Sequence, residues 1–572
     1  MDLLALAVLG LLAVAGATAL SSRLGVAAPL LLVVAGIAVS LLPFVPELEV
    51  DPEWILAGVL PPLLYSAAVS MPAMDFRREF PAIGGLSVLL VVVTSVVLGA
   101  FLSWVVPGLS LWWGIAIGAV ISPTDAVATS IVKQVGVSGR VVSILEGESL
   151  LNDATALVLL RTAVAGASAS VTLGGALGDF AQAVAVAVVL GFVVGKVNLR
   201  VRERVADPTV NTVLSFTVPF LAAVPAEALG GSGLVAAVVA GLVTGHGAPR
   251  RLTPRHRLSD AENWRTVELV LEGAVFLVLG LELTALVGDV VASEAGVGTA
   301  VLLAAAALAI TVLVRAGYVA PLLWSLHTRS RRAEGLKPRL ADLQERLDAR
   351  VAGAALDEPA TGRPRRRGRR SGTGERRRRG DLPLSASRLQ RFQTRITRSA
   401  ADIDYLLAAP LGWREGSVVV WAGMRGAVTV AAAQTLPPET PARSLLVLVA
   451  FLVAVGSLLL QGGTLGRLVR RVTPSGPVDD AAEREERTRV LELMSGAAAS
   501  VLGEEKRPVP DADPARRQAF VRQRLAVLEA QRQAVLDARD DGLFGAETLQ
   551  AALAVLDADQ ISLELRGRPV DG

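Results

Sequence analysis

Between Ile121 and Asp153 the sequence reads ISPTDAVATSIVKQVGVSGRVVSILEGESLLND, and Asp125, Glu146, Glu148, Asn152 and Asp153 there interrupt long runs of Leu, Val, Ala and Gly. A carboxylate at the centre of a membrane helix costs about 2.5–3.5 kcal/mol on insertion scales, so a cluster of them points to function. Pro123 stands inside an apolar run, where it removes a helix donor and clashes with the preceding turn. The helix is therefore predicted to break there and to free backbone carbonyls, with the Thr124 hydroxyl and the Asp125 carboxylate at the break. A second apolar run then brings Asn152 and Asp153, with Ser149 one helical turn before Asp153 on the same face. Carboxylate, amide, hydroxyl and loose carbonyls on two apposed runs make an oxygen-lined site for a small hard cation or a proton. Asp153 is the central candidate. If one shielded carboxylate takes a proton or a metal cation but not both, exchange follows from the competition.

The elements that must position these groups are membrane helices. Of 572 residues, 52% are hydrophobic, and many runs approach the ~20 apolar residues a span needs. Thirteen spans are predicted, near 3–20, 27–45, 54–70, 82–106, 111–132, 141–165, 176–198, 209–225, 232–245, 265–287, 297–325, 416–436 and 444–468. Leu3–Leu20 reads as a retained first span, because Asp2 occupies the place where a secretory signal carries basic residues. With the N-terminus outside and the C-terminus in the cytoplasm, one set of loops carries Arg23, Arg77, Arg78, Lys133, Arg140, Lys196, Arg200, Arg250, Arg251, Arg255 and Arg257. The opposite set carries Arg443 as its one basic residue, together with Glu47, Glu49, Asp51, Glu227, Asp289 and Glu294. This alternation is what the positive-inside rule requires. Trp54, Trp104, Trp112, Trp113, Trp264, Trp324 and Trp413 fall near span ends, as an interfacial aromatic belt would place them.

The twelfth span contains GMRGAVT, with Gly423, Arg425 and Gly426 at its middle, seven spans after the break at Pro123. A seven-span offset reverses direction, so two six-span units would be related by inverted topology, with interrupted helices at matching places. Glycine alone would be explained by close helix packing. An arginine between two glycines at mid-span favours the site reading. Glu148, Arg315 and Arg425 are intramembrane charges, and each needs a partner because an unpaired buried charge is strongly disfavoured. Arg425 is expected to compensate helix dipoles or Asp125. Arg161 is near a span end and is given no role.

The string EGES-LLND, preceded by a T-D pair in a broken span, resembles the sodium/proton exchangers of the monovalent cation:proton antiporter family, NhaP type. The resemblance covers residues 1–325 and 416–471 and implies an all-α, polytopic fold with discontinuous helices crossing at the site. It implies an ion-binding aspartate at Asp153, with Ser149 and Thr124-Asp125 beside it and Na⁺ or K⁺ bound at Asp153. Asn152 stands where electrogenic relatives have a second aspartate, so the resemblance favours electroneutral exchange. From its chemistry, Asn152 either bridges the broken helices or is a packing amide. The family pattern pairs Glu148 with Arg315 and implies a homodimer in the plasma membrane that regulates internal pH and sodium. Two departures stand out. The family's T-D-P is replaced by Pro123-Thr124-Asp125-Ala126, and Ser66 occupies a place that often holds an acid.

Four regions follow: spans 1–11 over 1–325, a basic insert over 326–415, spans 12–13 over 416–471, and a helical tail over 472–572. In the insert, Leu336, Leu340, Leu343, Leu347 and Val351 have helical spacing, and Arg363–Arg379 is an arginine run predicted to be disordered. That run is read as solvated or topology-fixing, or as touching anionic lipid; with no interleaved aromatic it is not read as binding nucleic acid. In the tail, Asp513-Pro514 is a helix start, and Phe520, Val521, Leu525, Leu528, Val535 and Leu536 form a stripe. Leu553, Leu556, Ile561, Leu563 and Leu565 suit a partner helix. A hairpin packed on itself or on a twin is expected, with a regulatory tail as the alternative. No cysteine is present, so disulfides, thiolate metal sites and cysteine nucleophiles are excluded. No cofactor is expected. His246, His256 and His327 are read as solvated loop residues. An enzyme is not expected, since neither an H-E-x-x-H motif nor a serine–histidine pair lies at membrane depth. A cation channel remains as a distant alternative to an antiporter; it would need a continuous pore lined by rings of groups.

Overall fold

The computed structural model describes residues 3–43, 50–168, 173–292, 296–356, 396, 398–403, 405–407, 411–472, 477–502 and 514–567. The arginine run at 363–379, the cap at Asp513, and Glu47, Glu49 and Glu294 lie outside these. The chain is all-helical. In order come α1 (Leu3–Leu24), α2 (Ala28–Ser40), α3 (Trp54–Ser70), α4 (Ala73–Val105), α5 (Leu111–Ile121), α6 (Val127–Val135), α7 (Gly139–Ser168) and α8 (Leu173–Arg202). Then follow α9 (Pro208–Ala228), α10 (Gly233–Arg251), α11 (Pro254–Ala292) and α12 (Val297–Leu356). The set closes with α13 (Trp413–Trp421), α14 (Ala427–Gln434), α15 (Arg443–Val472), α16 (Pro477–Leu502), α17 (Pro514–Asp541) and α18 (Ala546–Gly567). Among the described residues seven helices are long and apolar enough to cross a membrane, and four shorter apolar helices accompany them.

The helices sort into two bundles. In the first, α10 packs on α8, α9 and α3, while α11 packs on α1 and α2. In the second, α4, α5 and α7 form one trio and α12, α13/α14 and α15 another, joined where α5 and α6 meet α14 and α15. Each trio has a broken helix at its middle, α5/α6 in one and α13/α14 in the other. Close approach in the first trio depends on Gly118, where a β-carbon would fall on the Ser95 backbone of α4. Large apolar side chains such as Leu12, Val189, Val224, Leu302 and Leu313 are exposed on the outside, the surface a lipid phase would cover.

Local sequence accounts for several helix boundaries. Asp207 caps α9 by accepting from the Thr209 and Val210 N–H groups, which holds its carboxyl below the usual carboxylate range, with Pro208 at the first helical position. Gly136 ends α6 with a left-handed backbone, φ 80°.

Three expectations are corrected. Trp264 is no interfacial residue: it is buried, donates from Nε1 to Ser215 Oγ at 2.7 Å, and packs against Tyr65 and Phe216. His256 is 3% exposed rather than solvated, held between Asn211 and the Ala206 carbonyl in a network with Arg202 and Asp260. The tail is a three-helix unit instead of a hairpin, because Val490 and Met494 of α16 complete the core made by Leu528, Leu536, Leu553 and Leu556. The helix predicted around Leu336–Val351 is the continuation of α12.

Candidate functional site

The site is built where the two broken helices cross. The first interruption, between α5 and α6, exposes Pro123, Thr124 and Asp125; the second, between α13 and α14, exposes Gly423, Met424, Arg425 and Gly426. A direct bond joins them: the Asp125 N–H donates to the Met424 carbonyl at 2.8 Å. Gly426 is extended (φ −124°), so its backbone suits any residue, but a β-carbon there would fall on the Asp125 carboxylate. Only glycine lets the two segments touch.

Breaking two helices leaves two positive N-termini and two negative C-termini at mid-depth, and these need compensation. Asp125 answers the N-termini: its Oδ1 accepts from the Val127 N–H at 2.9 Å, and the same carboxylate lies against Gly426 at the start of α14. Arg425 answers the C-termini, donating from Nε to the Ile121 carbonyl of α5 at 3.1 Å and from Nη1 to the Gly423 carbonyl. The dipole alternative for Arg425 is the one the geometry presents; its guanidinium is not bonded to Asp125.

Glu148 and Arg315 are brought together. Arg315 donates through Nη2 to Glu148 Oε2 at 2.7 Å and through Nη1 to Oε1, tying α7 to α12 across the second bundle. Thr124 Oγ1 donates to Glu148 Oε1 at 3.2 Å and accepts from Asn152 Nδ2 at 2.7 Å, while Asn152 Nδ2 also reaches the Thr124 carbonyl at 3.1 Å. Asn152 therefore bridges α7 to the broken segment, and the Thr124 hydroxyl is engaged on both sides.

Asp153 stands apart from this lattice. It is 8% exposed, and among the described residues no hydrogen bond ties its carboxylate. It borders a cavity of about 340 Å³ between the two bundles, together with Thr124, Asp125, Ser149 and Thr429. The Ser149 hydroxyl donates to the Glu146 carbonyl at 3.1 Å, leaving its oxygen lone pairs available on the cavity side. The cavity reaches Lys133 and Glu146, which pair with each other at the end where Arg77, Arg78 and Arg140 lie.

Two further carboxylates line this space and were missed from sequence: Glu268 and Glu272 of α11. The signal was present, since two acids four residues apart in an apolar span share one helix face. They come from α11, and line the same cavity as Asp153. Also missed was the buried pair Arg140–Glu79, 2.6 Å, which pins α7 to α4.

Comparison with known proteins agrees with this architecture. The family described as "Sodium/hydrogen exchanger, transmembrane" matches residues 9–336 and 396–471. The uncharacterized Na(+)/H(+) exchanger Mb2309 of Mycobacterium bovis is 27% identical over 96% of this chain and 94% of its own length. The uncharacterized exchanger YjcE of Escherichia coli is 39% identical over 41% of this chain, a match spanning only 45% of that relative. A "Sodium, potassium, lithium and rubidium/H(+) antiporter" of Bacillus pumilus is 30% identical over 49% of this chain and 43% of its own. Among solved structures, the sodium proton antiporter MjNhaP1 of Methanocaldococcus jannaschii shares the fold, with a TM-score of 0.55 at 15% identity over 82% of this chain and 99% of that one. A family match over most of the chain, joined to the crossed broken helices, makes this a multi-pass membrane protein of the sodium/hydrogen exchanger family.

Proposed function

We propose that this protein is a secondary active antiporter that exchanges Na⁺, or K⁺, for H⁺, one for one, at a site centred on Asp153. The observation that carries the reading is the isolation of the Asp153 carboxylate. The other charges of the crossing are held by helix ends or by each other, while Asp153 faces the cavity without a hydrogen-bond partner among the described residues. A small cation or a proton is what such a group takes, and Ser149 and backbone oxygens of the break supply further hard ligands. Asn152 adds no second titrating charge beside it, which supports electroneutral exchange. Sliding or rocking of one bundle against the other then offers the site to each side in turn.

The thirteen-span arrangement, with the N-terminus outside and the tail in the cytoplasm, belongs to this proposal and is supported by the loop charges. So do the division at 325, 415 and 471, the plasma-membrane location, the homodimer, lipid contact by the insert, and a role in pH and sodium homeostasis. K⁺ stays beside Na⁺ because the Bacillus pumilus relative's name includes both. The test is a fluorescence-dequenching assay in everted vesicles with Na⁺, K⁺ and Li⁺, comparing wild type with Asp153→Asn. Saturable, cation-driven proton movement that the substitution abolishes is expected. Normal exchange by a folded Asp153→Asn protein would remove Asp153 from the mechanism, and cation flux without linked proton movement would indicate a channel.

A further inference from the structure

A second cavity, of about 330 Å³, lies at the basic end of the bundles, where the tail meets them. Its wall is made by the α3–α4 turn, the end of α10, the helical segment at 398–403 and the tail helices α17 and α18. Four basic side chains reach it: Arg77, His246, Arg398 and Arg539, against the single lining acid Asp540. Met74 and Leu553 give it an apolar floor.

The acids near these arginines are shared or loosely held. Asp540 is drawn to Arg250, outside the cavity, at 2.7 Å, and to Arg539 at 3.2 Å. Asp402 is held by Arg78 at 2.7 Å and meets Arg77 only at 3.4 Å. Arg398 lies 3.7 Å from Asp541, and its buried Nε makes no hydrogen bond. Three guanidinium groups thus converge on a space with one carboxylate, Asp540, in its lining, and each meets an acid that is shared with another arginine or held only at 3.7 Å.

We propose that this cavity binds a phosphate-bearing anion, a free phosphate ester or a lipid head group, whose non-phosphate part rests on the floor at Met74 and Leu553. Planar guanidiniums present paired N–H donors that match phosphate oxygens, and His246 adds a ring donor. The site is assembled only when the tail is docked, because Arg539 comes from α17 while Arg77 and His246 come from α4 and α10. The docked tail touches both bundles: Arg78 of α4 donates to the Gly542 carbonyl at 2.8 Å, and Arg250 of α10 holds Asp537 at 2.9 Å. A bound anion therefore fastens the tail across two bodies that must move past each other.

The test uses the full-length protein in phosphatidylcholine nanodiscs and follows its melting midpoint. Inorganic phosphate, adenosine monophosphate and a short-chain phosphatidylglycerol are titrated separately, with sodium chloride at matched ionic strength as the control. At least one phosphate-bearing species should raise the midpoint saturably while chloride does not; the lipid arm against the two soluble arms identifies the source. Arg398→Gln should weaken that binding at least about tenfold, the size expected for one lost charge-assisted contact. Gln550→Glu, which puts an acid on the cavity wall without removing a described hydrogen bond, should do likewise and decides the matter if Arg398→Gln does not fold. Failure of all three to saturate, or saturation unchanged in Gln550→Glu, would overturn the proposal.

Discussion

The tie between Glu148 and Arg315 is the most exposed point of the structural reasoning, because both side chains are only 2% accessible and each is the other's charge partner. Glu148→Gln leaves the Arg315 guanidinium with neutral acceptors only, the new amide oxygen and the Val419 carbonyl 2.9 Å from its Nε, and these do not cancel a full charge. Arg315→Gln leaves the Glu148 carboxylate with neutral donors only, such as the Thr124 hydroxyl, and no counter-charge. Breaking a buried pair from one side costs about 3–5 kcal/mol, since the penalty is that of a stranded charge rather than of a lost contact. The double variant Glu148→Gln/Arg315→Gln strands nothing. Its loss should fall below the sum of the single losses by at least about 2 kcal/mol. The measurement is reversible unfolding of purified protein in mixed micelles, followed by tryptophan fluorescence, for wild type, both single variants and the double. Strict additivity, or single losses under about 1 kcal/mol, would refute the claim that these groups neutralise each other inside the bundle.

Gly426→Ala should abolish cation-driven proton movement in vesicles while the protein is still made, because the added methyl lands on the Asp125 carboxylate; a fully active variant would mean that the crossing is looser than described. With one proton competing at one carboxylate, the apparent KM for Na⁺ should rise about tenfold for each unit of pH lost on the acidic side. A hundredfold rise per unit in the same assay would signal two protons and contradict one-for-one exchange. Asp557 receives both Arg257 and Arg532, so Asp557→Ala should weaken tail docking by roughly 1.5–3 kcal/mol and speed limited proteolysis of the tail. Unchanged cleavage would place the docking energy elsewhere.

Much of the crossing was legible because its parts break local rules. A proline before a Thr-Asp pair, and an arginine between two glycines, are conspicuous inside apolar runs, and each marks a helix interruption that the structure contains. The string EGES-LLND likewise announces a polar face on one helix. What stayed hidden depends on which helices become neighbours. Glu268 and Glu272 sit in a run hydrophobic enough to pass as an ordinary span, and only the apposition of α11 to α7 and the broken α5/α6 turns them toward the cavity. Arg140, Arg202 and His256 look like loop residues by position, yet each is buried by a partner far along the chain: Glu79, Asp260 and the Ala206 carbonyl. The tail's acids at Asp537, Asp540 and Asp541 were visible as charges, but their docking on Arg250 and Arg398 is a tertiary fact that helical periodicity does not carry.

On the exchange proposed above, the electrostatics of the crossing would let a single acid serve two substrates. Four helix ends meet there, and the site would be useless if their partial charges decided what binds. Asp125 is spent on the N-terminus of α6 by a hydrogen bond, with its carboxylate set against the start of α14, and Arg425 is spent on the Ile121 and Gly423 carbonyls. Glu148 is spent on Arg315, and Asn152 on Thr124. With those demands met, the field at Asp153 comes from its own charge, from the neighbouring Asp125 carboxylate and from whatever enters the cavity. The acids on the approach, Glu146, Glu268 and Glu272, favour cations over anions there. Had Asn152 been a second aspartate, the pair would retain one proton or one charge through the cycle and the balance of charge moved would change. An amide that bonds Thr124 keeps the broken helix in place, and on the exchange proposed above it leaves Asp153 to alternate between a proton and a metal ion.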